Sequence, residues 1–383
     1  MNNFVKKLVT FGTACALCVG MGSSLVACGG NSGDKIKIGV GLYQDSGPAV
    51  TATKAYLAGI ADELNCEFTY VTLSQTDEAA NKGHAQTLIS QGCQGMILTM
   101  DSGTTSILEE CKKAGIYVAG YLCDYEISYD TIKTNENFLG TVVDGSYTGT
   151  AWGQHIAERV IAEGYKNIGM IKFPEFAYPH QVEMDAAFRE AIAEYNETAE
   201  AGNQITVQAT TTNLNFAPLD SSYFSQNPNL DAIYAMCAGI DFVYPTMVSA
   251  GKTNIKLFTA GFSTADDTLN NFGTSGNGCI QELVFSNAEA ITYPLVMLIN
   301  KISGNEFTDN PTEAARVDSS QIIITNNEEL NVVKQKAMYY TGKYANAFLT
   351  GKDVKALLAE NGGTHAKLVE AVQSMAMEDL KAL

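Results

Sequence analysis

Residues 36–42 read Ile-Lys-Ile-Gly-Val-Gly-Leu, a short apolar segment that predicts a buried β-strand. A helical pattern follows at about 48–64, then a second strand at 67–73 and a second helix at about 77–91. The alternation of strand and helix continues to about residue 121. Short, nearly continuous apolar strands that are each followed by a helix are typical of a parallel sheet covered on both faces.

The alternation then restarts and predicts a second set of elements. Its helices and strands are expected at 146–163, 167–171, 181–195, 205–211, 232–236, 241–250 and 256–260. Two such sets predict an α/β fold with two doubly wound parallel-sheet lobes, whose ligands bind at the carboxyl ends of the strands. Residues 326–383 look helical and amphipathic, which predicts a C-terminal helical extension packed on one lobe.

The start of the chain predicts export and a lipid anchor. An apolar run from Leu8 to Gly20 is too short to span a bilayer and is typical of a signal peptide. The following Leu25-Val26-Ala27-Cys28 resembles the lipobox of bacterial lipoproteins. The resemblance implies a signal peptide at 1–27, acylation of Cys28 and a polar tether at 28–34, which places the protein on the outer face of the cytoplasmic membrane. The alternative is an ordinary secretory peptide with an accidental cysteine.

Composition narrows the possible partners. The 383 residues carry 42 acidic and 24 basic side chains, a net charge of −18, which opposes binding to nucleic acid. A hydrophobic content of 46% permits a sizeable core. Without Cys15, Cys18 and Cys28, six cysteines remain, and their spacing shows no CxxC or metal pattern. We expect mostly free, buried thiols, although one or two disulfides stay open.

Enzyme signatures are weak. Gly39-Val40-Gly41 follows a strand, but Gln44 stands where a dinucleotide fingerprint has its third glycine. The chain has four histidines, none at metal-ligand spacing, and it has no P-loop and no GxSxG elbow. The sequence therefore predicts no catalytic residue, no metal and no cofactor.

Several motifs carry a resemblance to a known family. They are the first strand from Ile36, the approach Gln91–Leu98 to the third strand, the Ala114–Val118 approach to the fourth, Asp144-Gly145, and Asn167–Ile171. In this order the chain resembles the type I periplasmic binding proteins, in particular the ribose-like, sugar-binding branch of ABC-transporter receptors. The resemblance covers about residues 35–325.

The resemblance implies two lobes joined by a hinge that the chain crosses three times. The crossings are expected near 143–145, 260–263 and 285–287. The first lobe then comprises 35–144 with 263–286, and the second comprises 145–262 with 287–325. In such proteins the lobes close around a ligand in the cleft between them.

Candidate ligand contacts in the first lobe follow from the same resemblance. Asp101 and Asp124 match positions near the family's site, and Asp144 matches a hinge aspartate. The alternative is that Asp101 caps the N-terminus of the following helix. Tyr43 and Gln44 occupy the loop after the first strand, where the family presents an aromatic and an amide, although a solvated turn explains them equally well.

In the second lobe an aromatic loop follows a strand directly. It contains Phe173, Phe176 and Tyr178, of which at least one is expected to face the cleft, while packing against Trp152 would explain others.

Other positions depart from the family pattern. Tyr125 replaces an arginine, Asp241 lies in a blurred asparagine-aspartate pair, Ser263 replaces an aspartate, and Phe285 falls near a usual glutamine. Relative to the family pattern, polar contacts are lost and aromatic side chains are gained. This favours a ligand that is flatter and carries fewer hydroxyl groups than ribose or galactose, such as a nucleoside or an aromatic glycoside.

These observations predict a lipid-anchored, monomeric solute receptor. We expect it to capture a sugar or sugar-like molecule, or a nucleoside or aromatic one, and to deliver it to an ABC permease. The alternative is a sensor that presents its bound form to a membrane kinase or chemoreceptor.

Overall fold

The computed structural model describes residues 35–144 and 149–383. The predicted signal peptide, Cys28, the tether and Gly145 lie outside the described residues. Within them, no helix combines the length and apolar character that a bilayer span requires.

The first lobe is built on a six-stranded sheet in which every neighbouring pair runs parallel. In spatial order its strands are β11 (Arg316–Ser319), β5 (Phe138–Asp144), β4 (Tyr117–Tyr121), β3 (Gly95–Leu98), β1 (Ile36–Leu42) and β2 (Cys66–Thr72). One face packs against α1 (Pro48–Ile60) and α11 (Thr292–Ser303), and the other against α2 (Glu78–Ser90) and α3 (Thr104–Ala114). A short helix, α4 (Tyr129–Ile132), follows β4.

The approach of α2 to β1 explains a glycine in the opening strand. A β-carbon on Gly39 would lie 2.7 Å from Leu88 Cδ1, closer than packed atoms tolerate. Helix α2 is started by Asp77, whose carboxylate accepts a hydrogen bond from Ala80 N at 2.9 Å.

The second lobe has a four-stranded parallel sheet and an adjoining antiparallel pair. The sheet runs β7 (Thr206–Thr212), β6 (Asn167–Lys172), β8 (Ala232–Ala235), β9 (Lys256–Thr259), and the pair is β10 (Leu283–Ser286) with β12 (Gln321–Ile324). One face of the sheet is covered by α5 (Gly149–Glu163) and α6 (His180–Thr198). The other is covered by α7 (Ser222–Gln226), α8 (Gly239–Phe242), α9 (Tyr244–Ser249) and α10 (Asp266–Leu269). The α/β class with two doubly wound lobes and C-terminal helices is therefore confirmed.

The late segments lie in the opposite lobes from those predicted. Residues 263–286 were expected in the first lobe, but Phe272, Ile280 and Leu283 are fully buried in the core of the second. Residues 287–325 were expected in the second lobe, but α11 is buried against the first sheet and β11 pairs with β5. Only β12, at the end of that range, belongs to the second lobe. The two assignments are wrong because they depended on a crossing near 260–263, whereas the chain stays in the second lobe there and makes its last crossing between Ser319 and Gln321.

One of the three predicted crossings is also wrong. Near 260–263 the chain stays in the second lobe, where Val284 N donates a hydrogen bond of 2.9 Å to Gly261 O. The described chain instead leaves the first lobe after Asp144, re-enters it at about Asn287, and leaves it again between Ser319 and Gln321.

The C-terminal extension packs on both lobes, not on one as predicted. Its helices are α12 (Asn327–Lys336), α13 (Met338–Thr341), α14 (Gly351–Ala356), α15 (His365–Gln373) and α16 (Met377–Ala382). Leu330 and Leu380 join the core of the second lobe, whereas Val354 and Leu368 join the core of the first. The extension therefore completes two cores and links them.

The six cysteines of the described chain are all free, in agreement with the expected thiols. Cys66, Cys93, Cys111 and Cys279 are buried, and burial raises the pKa of each thiol. Cys123 and Cys237 are half-buried.

Glu289 ties the extension to the first lobe. It lies in a single 3-10 turn, Ala288–Ile291, and its side chain is 1% exposed. One carboxylate oxygen accepts a hydrogen bond from Phe348 N at 3.1 Å, and the other has no partner among the described residues. Burial raises the pKa of this carboxyl to about 7, against the lowering effect of the backbone hydrogen bonds.

A glutamine at this position should alter how stability depends on pH. Because the pKa of Glu289 is higher in the folded state than in the unfolded state, its contribution to stability is present at low pH and is lost as pH rises from about 4.5 through about 7. We expect Glu289→Gln to raise the free energy of unfolding at pH 8.5 by up to about 3 kcal/mol, at 1.36 kcal/mol per pKa unit, and by much less at pH 5. Urea unfolding at both pH values measures this, with the exposed Glu158→Gln as the control. Equal effects of Glu289→Gln at the two pH values would contradict the assignment.

Candidate ligand-binding cleft

The carboxyl ends of the two parallel sheets carry the candidate residues. In the first lobe Tyr43, Asp101, Asp124 and Asp144 follow or end β1, β3, β4 and β5. In the second lobe the loops after β6, β8 and β9 bring Phe173, Cys237 and Ser263. Since the ends of parallel strands meet at one edge of a sheet, each lobe presents its candidates along a single edge.

The two lobes touch across these edges. Asp124 Oδ2 of the first lobe lies 3.8 Å from His180 Nδ1 of the second. One carboxylate oxygen each of Asp124 and Glu126 and one ring nitrogen of His180 lie within 4.8 Å of one another. Within residues 35–144 and 149–383, this is the only group of three His, Cys, Asp or Glu side chains close enough together to hold a metal ion. The two lobes are therefore in contact across these edges.

Burial and like charge govern the ionisation of this interlobe cluster. Burial lowers the pKa of His180, while Asp124 and Glu183 act to raise it. Burial also raises the pKa of Glu126, and the nearby Asp124 and Glu183 raise it further. Four groups from two lobes thus share one electrostatic environment, and sequence spacing did not reveal it because the partners lie far apart along the chain.

Asp144 lies where the chain first leaves the first lobe. Its Oδ1 accepts a hydrogen bond from the Ser286 hydroxyl, and Gln321 Nε2 donates to the same hydroxyl at 3.5 Å. Burial raises the pKa of Asp144 to about 6, the hydrogen bond from Ser286 acts against this rise, and the charge of Asp124 adds to it. Ser319 Oγ donates to Val143 O at 2.9 Å, so side chains from all three crossings are joined at this point.

The loop after β1 faces residues of both lobes. Tyr43 is 46% exposed, and Gln44 Nε2 donates to its hydroxyl at 3.4 Å. The pKa of Tyr43 rises to about 12 through partial burial and through the nearby Asp144, Cys237 and Asp241. Tyr43 therefore lies close to the hinge and to the second lobe.

Asp101 positions the loop that carries Asp124. Its two oxygens accept hydrogen bonds from Ser128 N at 3.0 Å and Ser128 Oγ at 2.7 Å. It is not the N-cap of α3, since Gly103 occupies that place without a side-chain cap. The N-cap alternative is therefore wrong.

Tyr125 was predicted to contact the ligand, and the structure shows that this prediction is wrong. Asp124 Oδ1 accepts a hydrogen bond from Glu126 N at 3.0 Å, and this tight turn directs Tyr125 inward at φ 54°. Tyr125 is 0% exposed, and its hydroxyl donates to Leu98 O at 3.0 Å. It is a core residue of the first lobe and has no surface to offer a ligand.

The aromatic loop after β6 builds a cluster in the second lobe. Phe173 is 4% exposed and stacks on Phe216, with ring centroids 5.1 Å apart, while Phe242 meets it edge-on at 5.3 Å. Tyr178 also packs on Phe173, and burial raises its pKa, with smaller effects from Cys237 and Tyr43. Phe176 is 66% exposed. Tyr178 is the member that faces the first lobe, and packing partners other than Trp152 hold the loop.

The remaining candidates in the second lobe differ in their surroundings. Asp241 as a whole residue is exposed, but its carboxyl is partly desolvated, and this raises the pKa. Ser263 is half-buried, and its hydroxyl accepts a hydrogen bond from Ala265 N at 3.1 Å. Phe285 is 5% exposed because Tyr339 of the C-terminal extension stacks on it at 4.3 Å. The expectation that Phe285 offers a free face to a ligand is therefore wrong.

Backbone strain collects in the same loops. Four of the five non-glycine residues with positive φ in the described chain follow strands at these edges: Leu122, Tyr125, Phe216 and Ala238. Such conformations are held by their surroundings and are concentrated at functional sites. The sequence did not indicate Glu126, His180, Glu183 and Tyr339, since none of them stands in a motif, and Cys237 was passed over although it begins the blurred asparagine-aspartate pair that ends at Asp241.

Comparisons with known proteins agree with this fold. Residues 38–306 match the family described as periplasmic binding protein domain. A sugar ABC transporter protein of Yersinia enterocolitica is 18% identical, with a TM-score of 0.57 over 82% of this chain and 96% of that chain. An ABC transporter solute binding protein of Burkholderia graminis in complex with D-arabinose is 17% identical, with a TM-score of 0.59 over 78% and 98% of the two chains. One from Bacillus halodurans with bound myo-inositol is 15% identical, with a TM-score of 0.56 over 83% and 100%. No curated protein sequence matches the chain.

Proposed function

We propose, since the chain belongs to the periplasmic binding protein domain family, that it captures a small polyhydroxylated molecule between its lobes and delivers it to an ABC importer. As a member of this family the chain is a binding protein and not an enzyme. The observation that carries the proposal is the meeting of Asp124 and His180 across the cleft, at the carboxyl ends of both sheets.

Carboxylates and phenols near the hinge favour a ligand rich in hydroxyl groups. The carboxylate oxygens of Asp124, Asp144 and Asp241 can accept hydrogen bonds, whereas the hydroxyls of Tyr43 and Tyr178 can also donate them. A sugar or polyol hydroxyl does both, and can therefore satisfy both kinds of group. The solved structures with D-arabinose and myo-inositol are consistent with this chemistry in proteins of the same fold.

The hypothesis of a flatter, aromatic ligand loses part of its support. It depended on Tyr125 and Phe285 as gained aromatic contacts, and both side chains are almost fully buried. The sugar or polyol is therefore the proposed ligand, and a nucleoside is the outcome that would overturn it.

Delivery requires the closed form to differ from the open one. The ligand stabilises closure by binding the closed arrangement more tightly than the open one. Rotation is proposed to occur at the crossings near Asp144, Asn287 and Ser320, where a few residues absorb the change in backbone angles. The permease then recognises the closed receptor, which acts as a monomer.

Carboxylates of the two lobes should each contribute to affinity. We expect Asp124→Asn and Asp241→Asn to weaken binding of D-arabinose or myo-inositol by about 10- to 100-fold, because a hydrogen bond to a charged group contributes about 1.5–3 kcal/mol. Isothermal titration calorimetry of the purified protein measures this, with Asp62→Asn, whose side chain is 97% exposed, as the control. Adenosine is titrated in parallel. Binding of adenosine alone, or unchanged affinity in both variants, would refute the proposal.

Attachment to the membrane through Cys28 is a separate proposal that rests on the sequence. Two or more acyl chains hold a protein stably on a membrane, whereas a single chain holds it only marginally. Cys28→Ala should abolish incorporation of a labelled fatty acid and release the protein from the membrane fraction, while Cys66→Ala should not. Labelling of Cys28→Ala at the level of the unaltered chain would show that the lipobox assignment is wrong.

A further inference from the structure

The junction between α12 and α13 lies where the two lobes meet. Ala337 is buried in the core of the second lobe, and the next residue, Met338, is buried in the core of the first. Tyr339 follows and packs against both cores. The C-terminal extension therefore brings one aromatic side chain to the boundary between the lobes.

The ring of Tyr339 packs on two aromatic side chains of the second lobe. It stacks on Phe285 with centroids 4.3 Å apart and meets Phe262 edge-on at 5.6 Å. Phe285 precedes Ser286, which donates its hydrogen bond to Asp144 at the hinge. Phe262 precedes Ser263, which lies within the loop after β9. Tyr339 thus covers the hinge end of the cleft.

The hydroxyl of Tyr339 is close to groups from both lobes. Burial raises the pKa of Tyr339, and the next causes are Tyr43, Asp241 and Asp144. In the described chain no group hydrogen-bonds to this hydroxyl, although its neighbours include two carboxylates. A phenol that makes no hydrogen bond within the described chain has a donor and an acceptor to offer a ligand.

We propose that Tyr339 is a ligand-binding residue, and that the C-terminal extension forms the wall of the cleft at its hinge end. The assignment rests on the proposed function. A hydroxyl of the ligand exchanges hydrogen bonds with the Tyr339 phenol and with the carboxylates of Asp144 or Asp241. The stack on Phe285 holds the ring in place, so less side-chain entropy of Tyr339 is lost when the ligand binds.

Removing the hydroxyl alone tests the proposal. Tyr339→Phe keeps both ring contacts, so we expect an unchanged melting temperature without ligand and about 3- to 10-fold weaker binding of D-arabinose or myo-inositol. Tyr339→Leu removes the wall as well and should weaken binding further. Tyr340→Phe is the matched control, because the neighbouring ring contacts only Phe262, at 6.4 Å, among the described aromatic residues.

Calorimetry with these variants separates the possible failures. If the unaltered chain binds a probe and Tyr339→Phe binds it equally well, the assignment of Tyr339 is wrong and the proposed function stands. If the unaltered chain binds neither probe, the proposed function is wrong, and the assignment falls with it. Should Tyr339→Leu fold poorly, the Tyr339→Phe result decides the question, since that variant preserves the packing.

Discussion

The Asp144 carboxylate and the Ser286 hydroxyl join two of the segments that pass between the lobes. Gln321 reaches the same hydroxyl from the third segment, and Ser319 bonds to the residue before Asp144. Burial raises the pKa of Asp144 to about 6, so most of its population is still ionised at neutral pH, and an ionised, buried group must be paired. This small network therefore joins the three segments that pass between the lobes and places a charge beside the candidate cleft.

The C-terminal extension bears directly on this hinge. Ser320 N donates a hydrogen bond of 3.1 Å to Val372 O, and Asn287 Nδ2 donates one of 2.6 Å to Met375 O. Two of the three crossings are thus bonded to the extension, whose side chains also complete the cores of both lobes. If the lobes rotate as proposed, the extension has to accommodate the motion, so its contacts bear on closure as well as on stability.

Much of the fold could be predicted from the sequence, because each strand and helix carries its own apolar pattern. The partner of each element could not. β10 and α11 are both apolar and adjacent in sequence, yet they belong to different lobes, and only long-range packing distinguishes them. The position of a candidate residue was predictable where it ends or follows a strand, as with Asp144 and Asp124. It was not predictable where backbone geometry decides, as with Tyr125, or where a distant segment covers a side chain, as Tyr339 covers Phe285.

A polyhydroxylated ligand is proposed to hold the two lobes closed. Small-angle X-ray scattering of the purified protein, with and without saturating D-arabinose or myo-inositol, tests it most directly. The account predicts a smaller radius of gyration with a ligand that calorimetry shows to bind. A bound ligand that leaves the radius of gyration unchanged would contradict the account.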